Sequence, residues 1–273
     1  MGRIANTWEL AKVSWGVLRQ DRELLVIPLL SFVSALVVLA ALLVPTIALL
    51  DTGSGEDTAS PALALIGIVA ALAMSVISVF FNGALVAGAH ERMSGGDPTV
   101  SSAMRRAMSR LGGLLPWALL TGTVGLILQA VRDRAGFLGA FVLRLAGAAW
   151  EVVTFLVVPA IVIDEHSAID GLKRSGSLLK ETWGENLAAR VGFGVLGMVA
   201  MIPAVIVVAL TGALGGPALV AGIVIAVFYV ALVIVVLTAL NAVFQTALYL
   251  YATTGAVPAG YENSNLRGSF SRK

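Results

Sequence analysis

Glu151 is the residue best placed to do chemistry in this chain. It interrupts an otherwise uncharged apolar run and lies 13 residues before Asp164, about 20 Å along a helix. An ionisable group at that depth in lipid faces a bundle interior or a wet cavity, where a carboxylate handles protons or cations. Its expected companions are Asn241 and Gln245, one turn apart in a second apolar run, with Asn82 in a third. Arg144 falls on the face of Glu151 two turns away, about 10 Å along the axis, so pairing needs the arginine to reach down. Thr238 and Tyr249 extend the Asn241–Gln245 stripe. A polar stripe on a membrane helix looks inward, either to line a pathway or to hydrogen-bond neighbouring helices. Both readings stand at this point.

Other groupings are weaker. His90 with Glu91, and Asp164 with Glu165 and His166, occupy matching places where two apolar runs end. They lack a histidine pair at i,i+4, so they read as polar residues ending a span, and no metal is expected. The glycines of 192–197 match the dinucleotide fingerprint by letter alone. No strand precedes them and no acidic residue follows at the required distance, so the fingerprint is set aside. With no cysteine, disulfides, thiolate metal sites and thiol nucleophiles are excluded. A membrane hydrolase needs nucleophile and base at one depth, whereas both histidines sit at span ends. The expectation is no enzyme, no catalytic residue and no cofactor.

The elements that hold these residues follow from composition. Fifty-eight per cent of residues are hydrophobic and 12% charged, against about a quarter charged in soluble chains. So much apolar surface implies lipid contact. A net charge of +2 gives no reason to expect nucleic acid. Runs of about 20 apolar residues cross a bilayer. They predict an all-α integral membrane protein of six spans near 24–50, 61–89, 111–131, 144–163, 189–210 and 218–250, in one domain over 1–273. The last two spans divide at the turn residues 211–217. Residues 1–23 are mixed and charged, unlike a cleavable signal, and 256–273 reads as a flexible cytoplasmic tail. With the N-terminus inside, fifteen of the 18 Lys and Arg residues fall on inner segments; only Arg132, Arg134 and Arg144 fall outside. The positive-inside rule then puts both termini in the cytoplasm.

Three amphipathic helices accompany the spans. Ile4, Trp8, Ala11, Trp15 and Leu18 recur at helical spacing and predict an interfacial helix over 4–20. After Pro98 and Thr99, Val100, Met104, Ala107 and Leu111 form an apolar face against basic Arg105, Arg106 and Arg110. After a capping-box-like start at Ser167 and Asp170, Ile169, Leu172 and Leu179 oppose Lys173, Arg174 and Lys180. The two loops read as copies of one unit. Such basic helices bind anionic lipid headgroups of the bilayer or dock a membrane or cytoplasmic protein partner.

Four stretches carry a resemblance. They are Trp8-Glu-Leu-Ala-Lys-Val-Ser-Trp15-Gly-Val-Leu-Arg19-Gln-Asp-Arg-Glu-Leu24-Leu-Val-Ile-Pro28, Pro159-Ala-Ile-Val-Ile-Asp-Glu165, Lys173-Arg-Ser175-Gly-Ser-Leu-Leu-Lys180-Glu-Thr-Trp183-Gly184 and Ala247-Leu-Tyr249-Leu-Tyr251-Ala-Thr-Thr-Gly255. Together, across roughly 5–265, the chain resembles an uncharacterised family of prokaryotic six-helix membrane proteins. That family is akin to the membrane domain attached to some glycerophosphodiester phosphodiesterases. The resemblance implies a prokaryotic inner-membrane location and carries no catalytic residue, since the phosphodiesterase barrel is absent. The expected function is a non-enzymatic bundle that binds lipids or a partner at its cytoplasmic interface. The alternative is a small transporter or channel built on Glu151, Asn82, Asn241 and Gln245, and an intramembrane enzyme ranks below both.

Overall fold

A computed structural model of the chain describes residues 3–51, 56–182 and 193–261, which form ten α-helices and no strand. Helix α1 spans Arg3–Gln20, and a 3-10 turn, Arg22–Leu25, leads into α2, Val26–Asp51. The helices α3 (Glu56–Met93), α4 (Val100–Ser109) and α5 (Leu111–Arg134) follow. Next come α6 (Phe137–Thr154), α7 (Val157–Ile163), α8 (Ala168–Thr182), α9 (Phe193–Leu214) and α10 (Gly216–Thr254). Six stretches are long and apolar enough to cross a membrane: Arg22–Leu50, Pro61–Met93, Leu111–Arg134, Phe137–Ile163, Gly197–Leu214 and Gly216–Thr254. The chain is an all-α membrane bundle. At 39 residues, α10 runs about 58 Å, longer than a hydrocarbon core.

Several boundaries differ from the sequence reading. The fourth span starts at Phe137 rather than 144, because only Ala135 and Gly136 separate α5 from α6. Arg144 therefore lies inside a helix, exposed, and not in an outer loop. The 211–217 turn shrinks to Gly215 and Gly216, with φ of 68° and 50°, values open to glycine at little cost. Just beyond, a Cβ on Gly222 would meet Thr211 Oγ1 at 1.9 Å, so glycine is what lets α9 and α10 close on each other. The expected fifth-span start at 189 and the tail beyond 261 lie outside the described residues, as does Trp183.

Local chemistry sets the short helices. Thr99 caps α4: its hydroxyl accepts from the Ser102 N–H, and the Ser102 hydroxyl accepts from the Thr99 N–H, both at 3.0 Å. This reciprocal pair satisfies two donors that a helix start leaves free. The Ser102 hydroxyl also donates to Glu91 at 2.7 Å, tying α4 to the end of α3. Ser167 caps α8 by accepting from the Asp170 N–H at 3.2 Å and donating to the Asp170 carboxylate at 2.7 Å.

The core sits at the end of the bundle that carries α1, α4 and α8. Helix α3 is the hub, packing on α2, α4, α5, α7 and α10. The buried residues come from its last half and from the adjoining parts of α5, α7 and α10, such as Leu85, Leu114, Ile161 and Leu248. The far half is splayed and apolar outside: Val44, Leu138, Leu210 and Leu214 are all more than half exposed, as lipid contact allows. Helix α9 packs mainly on α10, and α6 on α5 and α8.

The amphipathic helices dock more deeply than an interfacial reading requires. On α1 the buried face is Ser14, Val17 and Leu18, while Trp15 is exposed; of the expected stripe, Leu18 packs inward and Trp15 stays outside the core. The side chains of Ile4, Trp8 and Ala11 lie outside the described ones. On α4 the sealed positions are Ala103 and Ala107, with Val100 and Met104 packed against them and Leu111 exposed. On α8 they are Ala168, Gly171, Ser175, Leu178 and Leu179, while Ile169 faces out. The small residues Ala103 and Ala107 on α4, and Ala168, Gly171 and Ser175 on α8, let these short helices sit close to the spans.

Candidate functional site

The fourth span is broken about two-thirds of the way along, seven residues before its end, and the break has a chemical cause. Pro159 has no N–H, so the Phe155 carbonyl one turn earlier loses its helical donor. Residues 155 and 156 leave the helix between α6 and α7. The Phe155 N–H turns to the Val152 carbonyl at 3.3 Å, and side chains take other freed groups. The Gln245 amide of α10 donates to the Phe155 carbonyl. The Leu156 N–H donates to Ser175 Oγ at 3.2 Å, and that hydroxyl donates to the Val153 carbonyl at 2.6 Å. Ser175 is wholly buried, so α8 reaches through the interface to hold the break. Irregular backbone at membrane depth is tolerated where protein satisfies it or where it lines a cavity.

A cavity of about 1020 Å³ adjoins this break. Helices α2, α3, α5, α6, α7 and α10 line it. Four of the five residues that the sequence nominated meet there: Glu151, Asn82, Asn241 and Gln245, along with Thr238. Asn82 donates to the Gln245 amide oxygen at 3.3 Å, so a relay runs from α3 through α10 to the broken span. Gln245 is only 5% exposed. Among the described residues, the Glu151 carboxylate and the Asn241 amide have no hydrogen-bond or ion-pair partner, and both residues line the space, Asn241 half-buried and Glu151 exposed. Glu151 sits one turn before the break, near the midpoint of the 27-residue span Phe137–Ile163.

Arg144 is the exception. It does not line the cavity, and among the described residues it forms no ion pair with Glu151. The two-turn separation is not bridged.

The sequence reading missed part of the lining. Ser75 and Ser78 share a helical face with Asn82, and Thr121 and Thr154 add further hydroxyls. Ser75 donates to the Ala118 carbonyl at 2.7 Å and joins α3 to α5. Trp117 stacks on Trp150 with centroids 6.2 Å apart and planes at 25°. The spacing of 75, 78 and 82 and Pro159 inside the fourth span were signals available in the sequence.

The remaining nominated groups gather at the α1, α4 and α8 end. Tyr249, next on the Asn241–Gln245 stripe, lies below the cavity and donates to Asp164. Arg110 pairs with Glu165 and Arg92 with Asp21 and Asp97. Of the six basic interface residues, Arg105, Arg106, Lys173 and Lys180 are exposed, whereas Arg110 and Arg174 are half-buried. The Ser167 hydroxyl, then Lys173, hold the exposed Asp170 carboxyl below its usual range. Ser14 and Tyr261 share a 2.6 Å hydrogen bond, and burial pushes that phenol up. Among the described residues, no group of three or more His, Asp or Glu could hold a metal ion.

The geometry is thus a mainly apolar cavity with a few polar groups, wide enough for a small molecule, beside a broken span. No curated protein and no solved structure matches the chain significantly. Residues 62–259, which carry every cavity helix except α2, match a family of unknown function, DUF6159, and the chain belongs to that family.

Proposed function

We propose that the protein is a small, non-enzymatic membrane carrier whose binding site is the cavity around Glu151. One observation carries this reading: Asn82, Glu151, Asn241 and Gln245, from three separate spans, line a single space next to a helix break. A purely structural polar cluster would close on itself, with each group partnered. Here the Asn82–Gln245–Phe155 relay does that, while Glu151 and Asn241 line open volume. Broken spans at mid-membrane sites are a recurring device of transporters. We place the α1, α4 and α8 end on the cytoplasmic side, because fifteen of the 18 Lys and Arg residues fall on the expected inner segments and, with Arg144 inside a helix, only Arg132 and Arg134 remain for the outer side.

The natural lack of cysteine makes the test direct. Ser78→Cys and Thr238→Cys are expected to react with a membrane-impermeant methanethiosulfonate reagent added to either side of sealed vesicles. Val224→Cys, on the outer apolar surface, is expected to stay unlabelled. Protection of both cavity cysteines from both sides would overturn the carrier reading.

A second reading has its own support. Arg105, Arg106, Lys173 and Lys180 are exposed at the end that holds the docked amphipathic helices, a pattern suited to anionic lipid headgroups. Native mass spectra should retain phosphatidylglycerol on the wild type and lose it when all four are changed to glutamine; equal retention would end this reading.

A further inference from the structure

The cavity wall is one-sided in charge. Glu151 supplies a carboxylate, and among the described residues no lysine, arginine or histidine lines the space. Arg144, the cation on the same helix, lies outside it. An anion entering here would meet an uncompensated negative group at membrane depth, where charge is expensive. A bare divalent ion needs several hard oxygen ligands at about 2.0–2.6 Å. Among the described residues the wall instead offers a single carboxylate in a volume of about 1020 Å³, the size of an organic molecule.

Aromatic rings complete the pattern. Phe32, Phe81, Trp117 and Phe155 line the cavity, Phe32 exposed, Phe155 half-buried, and Phe81 and Trp117 nearly buried in its wall. Ring faces attract cations most strongly where water is excluded. Trp117 is held in place by its stack on Trp150, the neighbour of Glu151. Entry from the lipid is open to such a ligand. Helix α6 has no buried residue and packs on α5 and α8 rather than against α10, so its cavity side is not sealed by a close partner.

We infer that the cavity takes an amphiphilic organic cation, a quaternary ammonium or phosphonium head with apolar arms, seated on Glu151 beside Trp117. The inference rests on the cavity being a binding site, as proposed above, and adds the class of ligand. Glu151 is then a selectivity group: its negative charge, costly when alone, is compensated only by a positive head.

Tetraphenylphosphonium and tetraphenylborate have the same shape and opposite charge, which makes them the deciding probes. Equilibrium binding is measured on the full chain in phosphatidylcholine nanodiscs, with empty nanodiscs as background. Saturable phosphonium binding is expected, with borate at least about tenfold weaker, as a single desolvated charge contact would give. E151Q should weaken phosphonium about tenfold, E151D should retain it, and Thr238→Trp, which fills the space, should abolish it. Equal binding of the two ions, both lost in Thr238→Trp, would overturn the charge selectivity while leaving the cavity a binding site. Full phosphonium affinity in E151Q would do the same. If neither ion binds while Thr238→Cys still labels, the ligand class falls and the carrier reading survives. Failure of the labelling itself removes both.

Discussion

Replacing Gln245 by leucine tests the account of the broken span. The glutamine side chain is 5% exposed and makes two contacts: it donates to the Phe155 carbonyl and accepts from Asn82 at 3.3 Å. Leucine keeps the bulk and strands both partners. An unsatisfied buried group costs about 1–3 kcal/mol in soluble cores, but interhelical hydrogen bonds in membranes average about 0.6 and reach about 1.7 kcal/mol. The membrane scale applies here, and the long Asn82 contact belongs at its lower end. Gln245→Leu should therefore destabilise the bundle by about 1–2 kcal/mol. The decisive variant is Pro159→Ala. It restores an N–H one turn after Phe155 and gives that carbonyl a helical donor. In the Pro159→Ala background, the Gln245→Leu cost should fall by about 1 kcal/mol, a coupling well above the roughly 0.3–0.5 kcal/mol within which independent sites add. Equilibrium unfolding of the four proteins in lipid bicelles measures it. Strict additivity would refute the argument that Pro159 frees the carbonyl which Gln245 satisfies.

Ser175→Ala should destabilise by about 1–2 kcal/mol and speed hydrogen exchange at the Leu156 amide, because one hydroxyl serves both edges of the break; unchanged exchange would refute this. Gly222→Ala should lower thermal stability through its clash with Thr211, and adding Thr211→Gly should recover it, as a melting series would report. Thr99→Ala should cost about 1 kcal/mol and loosen α4, read as faster exchange at the Ser102 and Ala103 amides.

Much of the architecture was written into the chain. Uncharged runs of more than 18 residues have no stable home but lipid, so composition alone required a bundle of spans. The paucity of polar residues inside those runs singled out Glu151, Asn82, Asn241 and Gln245, because a polar group in hydrocarbon must turn inward. Turn and cap chemistry was also local: Thr99 and Ser167 start helices by accepting the N–H three residues on, which needs no distant partner.

What the sequence did not decide depends on neighbours. Arg144 and Glu151 share a helical face, yet one is left outside the cavity and the other lines it, because α5 and α8, not α10, pack against α6. On α1 and α8 the periodicity allowed several apolar stripes, and only docking selected the face of Ser14 and Leu18 or of Ser175 and Leu178. Pro159 announced a weak point in the fourth span, but whether it kinks, unwinds or is absorbed turns on who takes the freed groups. Gln245 and Ser175, 86 and 16 residues further along the chain, supply that answer. The amino-acid order fixed which stretches enter the membrane, since that is a balance between each residue and its solvent. The cavity is a property of helices meeting, and only the tertiary contacts could make it.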